Sequence, residues 1–144
     1  MTRSRVILLL AAVANGLGWV LPVIEEFRGF HAFRVALSPL WPYEDFRIEG
    51  VWLIVLCVSS ALTNGVFVVV AGLLLAGRVS ARVLLSVAAA ATLLNLHWVI
   101  TMERERNDLE IGYFIWVVSF ALLALATYLE VAAKPPAPAM RERG

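Results

Sequence analysis

Four long stretches without Asp, Glu, Lys or Arg alternate with short charged segments along the chain. The longest, residues 51–77, would form about 40 Å of α-helix, whereas the hydrocarbon core of a bilayer is about 30 Å thick. The other three stretches are residues 6–24, 83–102 and 111–129. Because a helix satisfies its own backbone polar groups, it is the expected element for crossing lipid. The pattern predicts an all-α bundle of four transmembrane helices that run up-down-up-down.

Composition agrees with a membrane protein. The 144 residues are 61% hydrophobic and 16% charged, and the mean hydropathy is +0.83. Soluble domains have roughly 45–50% apolar and about 25% charged residues. The length fits one domain, residues 1–131, and the proline-containing segment 132–144 is expected to be a disordered cytoplasmic tail.

Charge and cysteine content exclude some functions. A net charge of +1 gives no electrostatic reason to bind nucleic acid. Cys57 is the single cysteine, so the chain can form neither an intrachain disulfide nor a metal site built on cysteines. No motif for a cofactor is present, and none is expected.

The first apolar stretch has two interpretations. It begins after basic residues and contains Ala12-Val13-Ala14, which fits the cleavage site of a signal peptide. Cleavage after Ala14 would leave a peptide shorter than the usual length of about 15–30 residues, and the apolar run continues beyond it. We therefore expect an uncleaved helix whose last turn is bent or ended by Pro22.

The connection between the first two spans is rich in aromatic residues. On a helical wheel its apolar side chains fall on one arc, while Arg28 and His31 lie on the other side. This pattern predicts an amphipathic helix that lies on the membrane surface. The candidate interaction surface of this loop comprises Phe27, Phe30, Phe33, Trp41, Tyr43, Glu44 and Asp45.

Two features predict the orientation of the four spans. Of the twelve Lys and Arg residues, seven lie in the N-terminal segment, the turn at residues 77–82 and the tail, which places both termini in the cytoplasm. With four alternating spans, all five tryptophans then fall at the outer side, where indole rings favour the interface with water. We expect the plasma membrane, and specifically the inner membrane of a bacterium.

Polar residues within the spans are candidates for a functional site. Asn15, Asn64 and Asn95 lie at similar depth, and His97 is the ionisable side chain well inside a span. The amides either hold helices together through hydrogen bonds or line a polar path, and His97 either handles a proton or ligand or packs structurally. Small residues beside the amides predict that the first three spans form the tight core, with the fourth more exposed to lipid.

The layout resembles that of the disulfide-generating quinone reductases of bacterial membranes, which have four spans and cytoplasmic termini. Those enzymes need cysteine pairs in their outer loops, whereas Cys57 lies inside a span, so their chemistry is excluded. Small multidrug exporters also have four spans, but they need a membrane-embedded glutamate in the first, where this chain has only Asn15.

Three functions remain open from the sequence. The first is a non-enzymatic accessory or immunity-type protein that acts through contacts with the bilayer lipid, another membrane protein or copies of itself. The second is a small oligomeric transporter or channel that uses the Asn and His cluster. The third is an enzyme that acts on a lipid through His31 and the acidic residues of the outer loop.

Overall fold

A computed structural model of the chain describes residues 2–24, 27–77, 79–101 and 108–133. The described residues form five helices and a two-stranded hairpin. In chain order these elements are α1 (Arg3–Val20), β1 (Pro22–Ile24), β2 (Phe27–Arg28), α2 (Gly29–Ala36), α3 (Val51–Ala76), α4 (Ala81–Thr101) and α5 (Ile111–Ala133). Helices α1, α3, α4 and α5 are long and apolar enough to cross a membrane, as the hydrophobic pattern predicts.

The bounds of α3 follow from its flanking glycines. Gly50 precedes the helix with φ +91°, and Gly77 ends it with φ +63°. The N–H of Gly77 bonds to the carbonyls of Leu73 and Leu74, a left-handed helix end that glycine adopts at no steric cost. The predicted span, residues 51–77, therefore agrees with the observed helix to within one residue.

The first span differs from its prediction, because it runs over Arg3–Val20 rather than residues 6–24. The helix ends two residues before Pro22. Pro22 is the first residue of β1, which pairs antiparallel with β2. On the other side of β1, the Val23 carbonyl accepts a hydrogen bond of 2.9 Å from the N–H of Glu110. The all-α prediction missed this hairpin, which fastens the first connection to the start of α5.

The last two spans also differ from their predicted bounds. Helix α4 begins at Ala81 rather than at residue 83, and residue 102, the predicted end, lies outside the described residues. Helix α5 continues to Ala133, beyond residue 129 and into the first two residues of the predicted tail. The rest of that tail, residues 134–144, lies outside the described residues.

Helix α5 is the centre of the bundle. It packs extensively along α1 and α4, whereas α3 packs mainly on α4. The buried residues of α5 are Gly112, Tyr113, Ser119, Phe120, Leu123, Ala126 and Thr127. The prediction that the fourth span is the one more exposed to lipid is therefore wrong.

Small residues at intervals of seven explain the close pairing of α1 with α5. On α1 the buried positions include Ser4, Ala11 and Gly18. On α5 they include Gly112, Ser119 and Ala126. A spacing of seven keeps residues on one helix face, and small side chains on both faces let the backbones approach closely.

The two ends of the bundle are formed by different parts of the chain. The hydroxyl of Ser4, near the start of α1, donates a hydrogen bond to the carboxylate of Glu130, near the end of α5. We name this the terminal end, and the opposite end, which carries the hairpin and α2, the loop end. In the terminal half Leu8, Phe67 and Phe120 belong to one buried apolar cluster, in which the two Phe rings meet edge to face at 5.5 Å.

Candidate functional site: a cavity at the loop end

The loop half of the bundle contains a cavity of about 670 Å³, here called the loop-end cavity. Its walls come from the end of α1, the hairpin, the first half of α3, Trp98 of α4 and the start of α5, and its roof from α2 and residues 46–49. The lining is mostly apolar. This volume lies within the range of about 300–1,000 Å³ that is typical of pockets for small ligands.

The roof is the amphipathic helix that the sequence predicts, although it is short. Helix α2 spans Gly29–Ala36 and turns Phe33 towards the cavity, where its ring lies 5.0 Å from that of Trp19. A side chain at Gly29 would collide with the backbone carbonyl of Gly18. The roof is therefore in direct backbone contact with the end of α1.

Two indole groups and their acceptors form the polar part of the lining. Trp116 Nε1 donates to Asn64 Oδ1 at 2.9 Å, and Trp98 Nε1 donates to Ser60 Oγ at 3.0 Å. Asn64 lies thirteen residues after Val51, which is about 20 Å along a helix. The cavity thus extends deep into the bundle, and its polar lining atoms already have hydrogen-bond partners.

A second network lies around Asn95, which is fully buried on α4. Ser60 Oγ donates to Asn95 Oδ1 at 2.7 Å, and Asn95 Nδ2 donates to Thr63 Oγ1 at 3.0 Å. The hydroxyl of Tyr113 donates to the backbone carbonyl of Asn95. This network joins α3, α4 and α5 beside the deep part of the cavity, because Ser60 belongs to both.

Each of the three predicted amides bonds to a neighbouring helix. Asn15 donates to Ser119 Oγ on α5 at 3.2 Å, Asn64 accepts from α5, and Asn95 bonds to α3. Among the described hydrogen bonds, none joins two of these amides. His97 is half-buried on α4 and does not line the cavity, whereas Asn64 does.

The predicted interaction surface of the first connection divides into two parts. Phe27 and Phe33 line the cavity. Phe30 and Trp41 are 42% and 64% exposed. The remaining members are the half-buried Tyr43 and the exposed Glu44 and Asp45. Only part of this set is therefore available to a partner from outside.

The guanidinium of Arg34 stacks on aromatic rings of the connection between α1 and α3. The guanidinium carbon of Arg34 lies 3.7 Å from the centre of the Trp41 ring and 5.1 Å from that of Tyr43. Such contacts are attractive because the face of an aromatic ring carries negative potential. Loss of solvent, followed by the adjacent Glu44 carboxylate, raises the pKa of Tyr43, so its phenol stays neutral beside this cation at physiological pH.

The charged side chains of the cavity lining lie together in one segment. Arg47 and Glu49 are the charged members of the described lining, and both are exposed, so they form a rim. His31 packs against the rings of Phe27 and Phe30 and does not line the cavity. Within the described ranges no group of three or more His, Cys, Asp or Glu residues is placed to hold a metal ion.

Sequence reasoning missed Ser60, Trp98 and Trp116, the side chains that define the polar lining. A signal exists for Trp116, because it lies five residues after the start of α5 rather than at its edge. An indole at that depth needs a hydrogen-bond acceptor within the protein. No family model, curated protein or solved structure matches this chain.

Proposed function

We propose that this protein is a non-enzymatic membrane protein that binds a lipid-like ligand in its loop-end cavity. The observation that carries the proposal is the cavity itself, which combines apolar walls, a volume of about 670 Å³ and a rim with Arg47 and Glu49. An amphipathic molecule matches this distribution, since its apolar part can lie against the apolar walls while its polar part stays at the rim.

The polar lining supports binding rather than catalysis. Asn64 and Ser60 are engaged by indole N–H groups at 2.9 and 3.0 Å, which leaves them as neutral, fixed dipoles. General acid–base chemistry needs a titratable group within hydrogen-bond reach of the substrate. The charged lining residues lie at the rim, and of the titratable groups inside, the Tyr113 hydroxyl is engaged by the Asn95 carbonyl and Cys57 is a single thiol. Holding a lipid suits an accessory or immunity-type protein, because a bound lipid is withheld from other proteins in the membrane.

The orientation follows from the distribution of charge. We place both termini in the cytoplasm, so the loop end and its cavity face the outer leaflet of a bacterial inner membrane. A small oligomeric transporter or channel that uses the Asn and His cluster is the alternative. It draws less support, because the cluster of Leu8, Phe67 and Phe120 fills the terminal half below the cavity. A path through a single chain would have to cross this cluster.

The proposal is tested by measuring which lipids stay with the protein. The chain is reconstituted in nanodiscs of mixed phospholipids, released in mild detergent and weighed by native mass spectrometry. Ala36→Leu adds bulk inside the cavity and should reduce the retained lipid, since Ala36 lines it. Ala12→Leu, at an exposed site on α1, is the matched control and should retain lipid as the parent does. Equal retention by both variants, or none by the parent, would overturn the proposal.

A further inference from the structure

We infer that the ligand is a zwitterionic phospholipid that enters sideways from the bilayer between α1 and α3, with one acyl chain in the cavity and its headgroup between Arg47 and Glu49. This inference rests on the proposed function and adds two things to it: the route and the class of lipid. Each comes from a separate set of contacts.

The route follows from the unequal packing of the four long helices. Helix α1 packs on α5 and α3 packs on α4, while α1 and α3 make no substantial contact in the described chain. In the terminal half Leu8 and Phe67 still belong to one apolar cluster. In the loop half the cavity occupies the space between Trp19 of α1 and Cys57 of α3. The side of the bundle between these helices is therefore the weakly packed one.

The roof belongs to the loop end of the bundle. Helix α2 touches both α1 and α3, so it covers the cavity at the loop end. The close backbone contact of Gly29 with Gly18 fixes the roof on α1. An acyl chain in the surrounding lipid needs neither to lift this roof nor to cross water on the sideways route. The acyl chain moves from the apolar bilayer into an apolar cavity, so its surface is not exposed to water on the way.

The headgroup class follows from the rim. Arg47 offers a planar guanidinium, which binds phosphate through paired hydrogen bonds, and Glu49 offers a carboxylate for an ammonium group. One positive and one negative side chain complement a headgroup that carries both charges. The volume of about 670 Å³ is that of a pocket for a small ligand, so we assign one chain to the cavity and leave the second in the bilayer.

Cys57 provides a native probe of the route, because it is the single cysteine and lines the cavity. The unchanged protein in phosphatidylglycerol vesicles, which contain no zwitterionic lipid, is treated either with a membrane-soluble alkyl maleimide or with a charged, water-soluble maleimide. Sideways access predicts labelling at least tenfold faster with the membrane-soluble reagent. Adding a short-chain zwitterionic phospholipid should then slow this labelling. A faster reaction with the water-soluble reagent would overturn the lateral route while leaving lipid binding intact.

Two controls separate the cavity from the general surface. In a Cys57→Ser background, Val69→Cys puts the thiol on the same helix at a site that is 58% exposed, and Glu44→Cys puts it in the exposed loop. The first should react with the membrane-soluble reagent without protection by added lipid, and the second with the water-soluble one. If protection of Cys57 instead increases with protein concentration and not with lipid content, the occupant is a second copy of the chain. That result would overturn the inference.

The headgroup is tested by native mass spectrometry on nanodiscs that contain both phosphatidylethanolamine and diacylglycerol. Arg47→Gln and Glu49→Gln should each lower retention of phosphatidylethanolamine relative to diacylglycerol by about tenfold, the effect of losing roughly 1.4 kcal/mol. Arg28→Gln, an exposed change at the same end of the bundle outside the lining, should not. Unchanged selectivity with retained lipid would overturn the headgroup assignment. Absence of any retained lipid would instead overturn the proposed function.

Discussion

Gly18, Gly29 and Gly112 lie where two backbones approach too closely for a side chain. A Cβ on Gly18 would be 2.8 Å from Trp116 Cβ, and those on Gly29 and Gly112 would meet backbone carbonyls of Gly18 and Pro22. Carbonyls in packed backbone cannot rotate away as a flexible side chain can. These glycines are therefore required by packing, whereas Gly16 has open space around it.

Alanine at these positions should test the packing directly. Gly29→Ala and Gly112→Ala are each expected to lower the free energy of unfolding by ~1–3 kcal/mol, because the backbones must move apart. Gly16→Ala is the matched control and should leave stability unchanged or raise it by up to ~1 kcal/mol, since alanine favours the helix. SDS titration in mixed micelles measures all three. Equal stability of the three variants would contradict the close approach.

Among the elements, the pairing of α1 with α5 organises the bundle. Buried small residues recur every seven positions on both helices, as at Ser4 and Ala11 on α1 and at Ser119 and Ala126 on α5. The spacing of small residues, rather than the number of amides, determines which helices lie closest.

A larger residue in this contact should be costly. Ala126 is fully buried on α5, so Ala126→Leu is expected to destabilise the bundle by ~1–3 kcal/mol. Ala121→Leu adds the same side chain at an exposed position of α5 and should have almost no effect. Thermal unfolding followed by circular dichroism in detergent distinguishes them. An equal response of the two variants would mean that α5 is not the central helix.

Sequence reasoning succeeded where a single local property decides the structure. Charged residues and glycines bound the spans, so α3 agrees with its prediction to within one residue, and Pro22 was correctly expected to disturb the end of the first span. It failed where two distant segments meet. The β1–β2 hairpin, the pairing of Trp116 with Asn64 and the cavity all depend on which helices are neighbours. No local pattern of apolar and polar residues contains that information.

Considered as a whole, the molecule carries its five tryptophans, Trp19, Trp41, Trp52, Trp98 and Trp116, in the half that contains the loop end. We expect the turn between α3 and α4 to face the cytoplasm and the loop around Asp45 to face outward. In a Cys57→Ser background, Asp45→Cys should react with an impermeant maleimide added to intact cells. Ser80→Cys, which is also exposed, should react only after the membrane is permeabilised. Labelling of Ser80→Cys in intact cells would reverse the orientation.

The central position of α5 has a consequence for biogenesis. Synthesis proceeds from the N-terminus, so α1, α3 and α4 leave the ribosome before the helix on which α1 and α4 pack. Until then α1 has no extensive partner among the described helices, whereas α3 and α4 can already pack on each other. A nascent chain halted before Ile111 would therefore be inserted with α1 separate from the α3–α4 pair, and completion of α5 would join α1 to that pair.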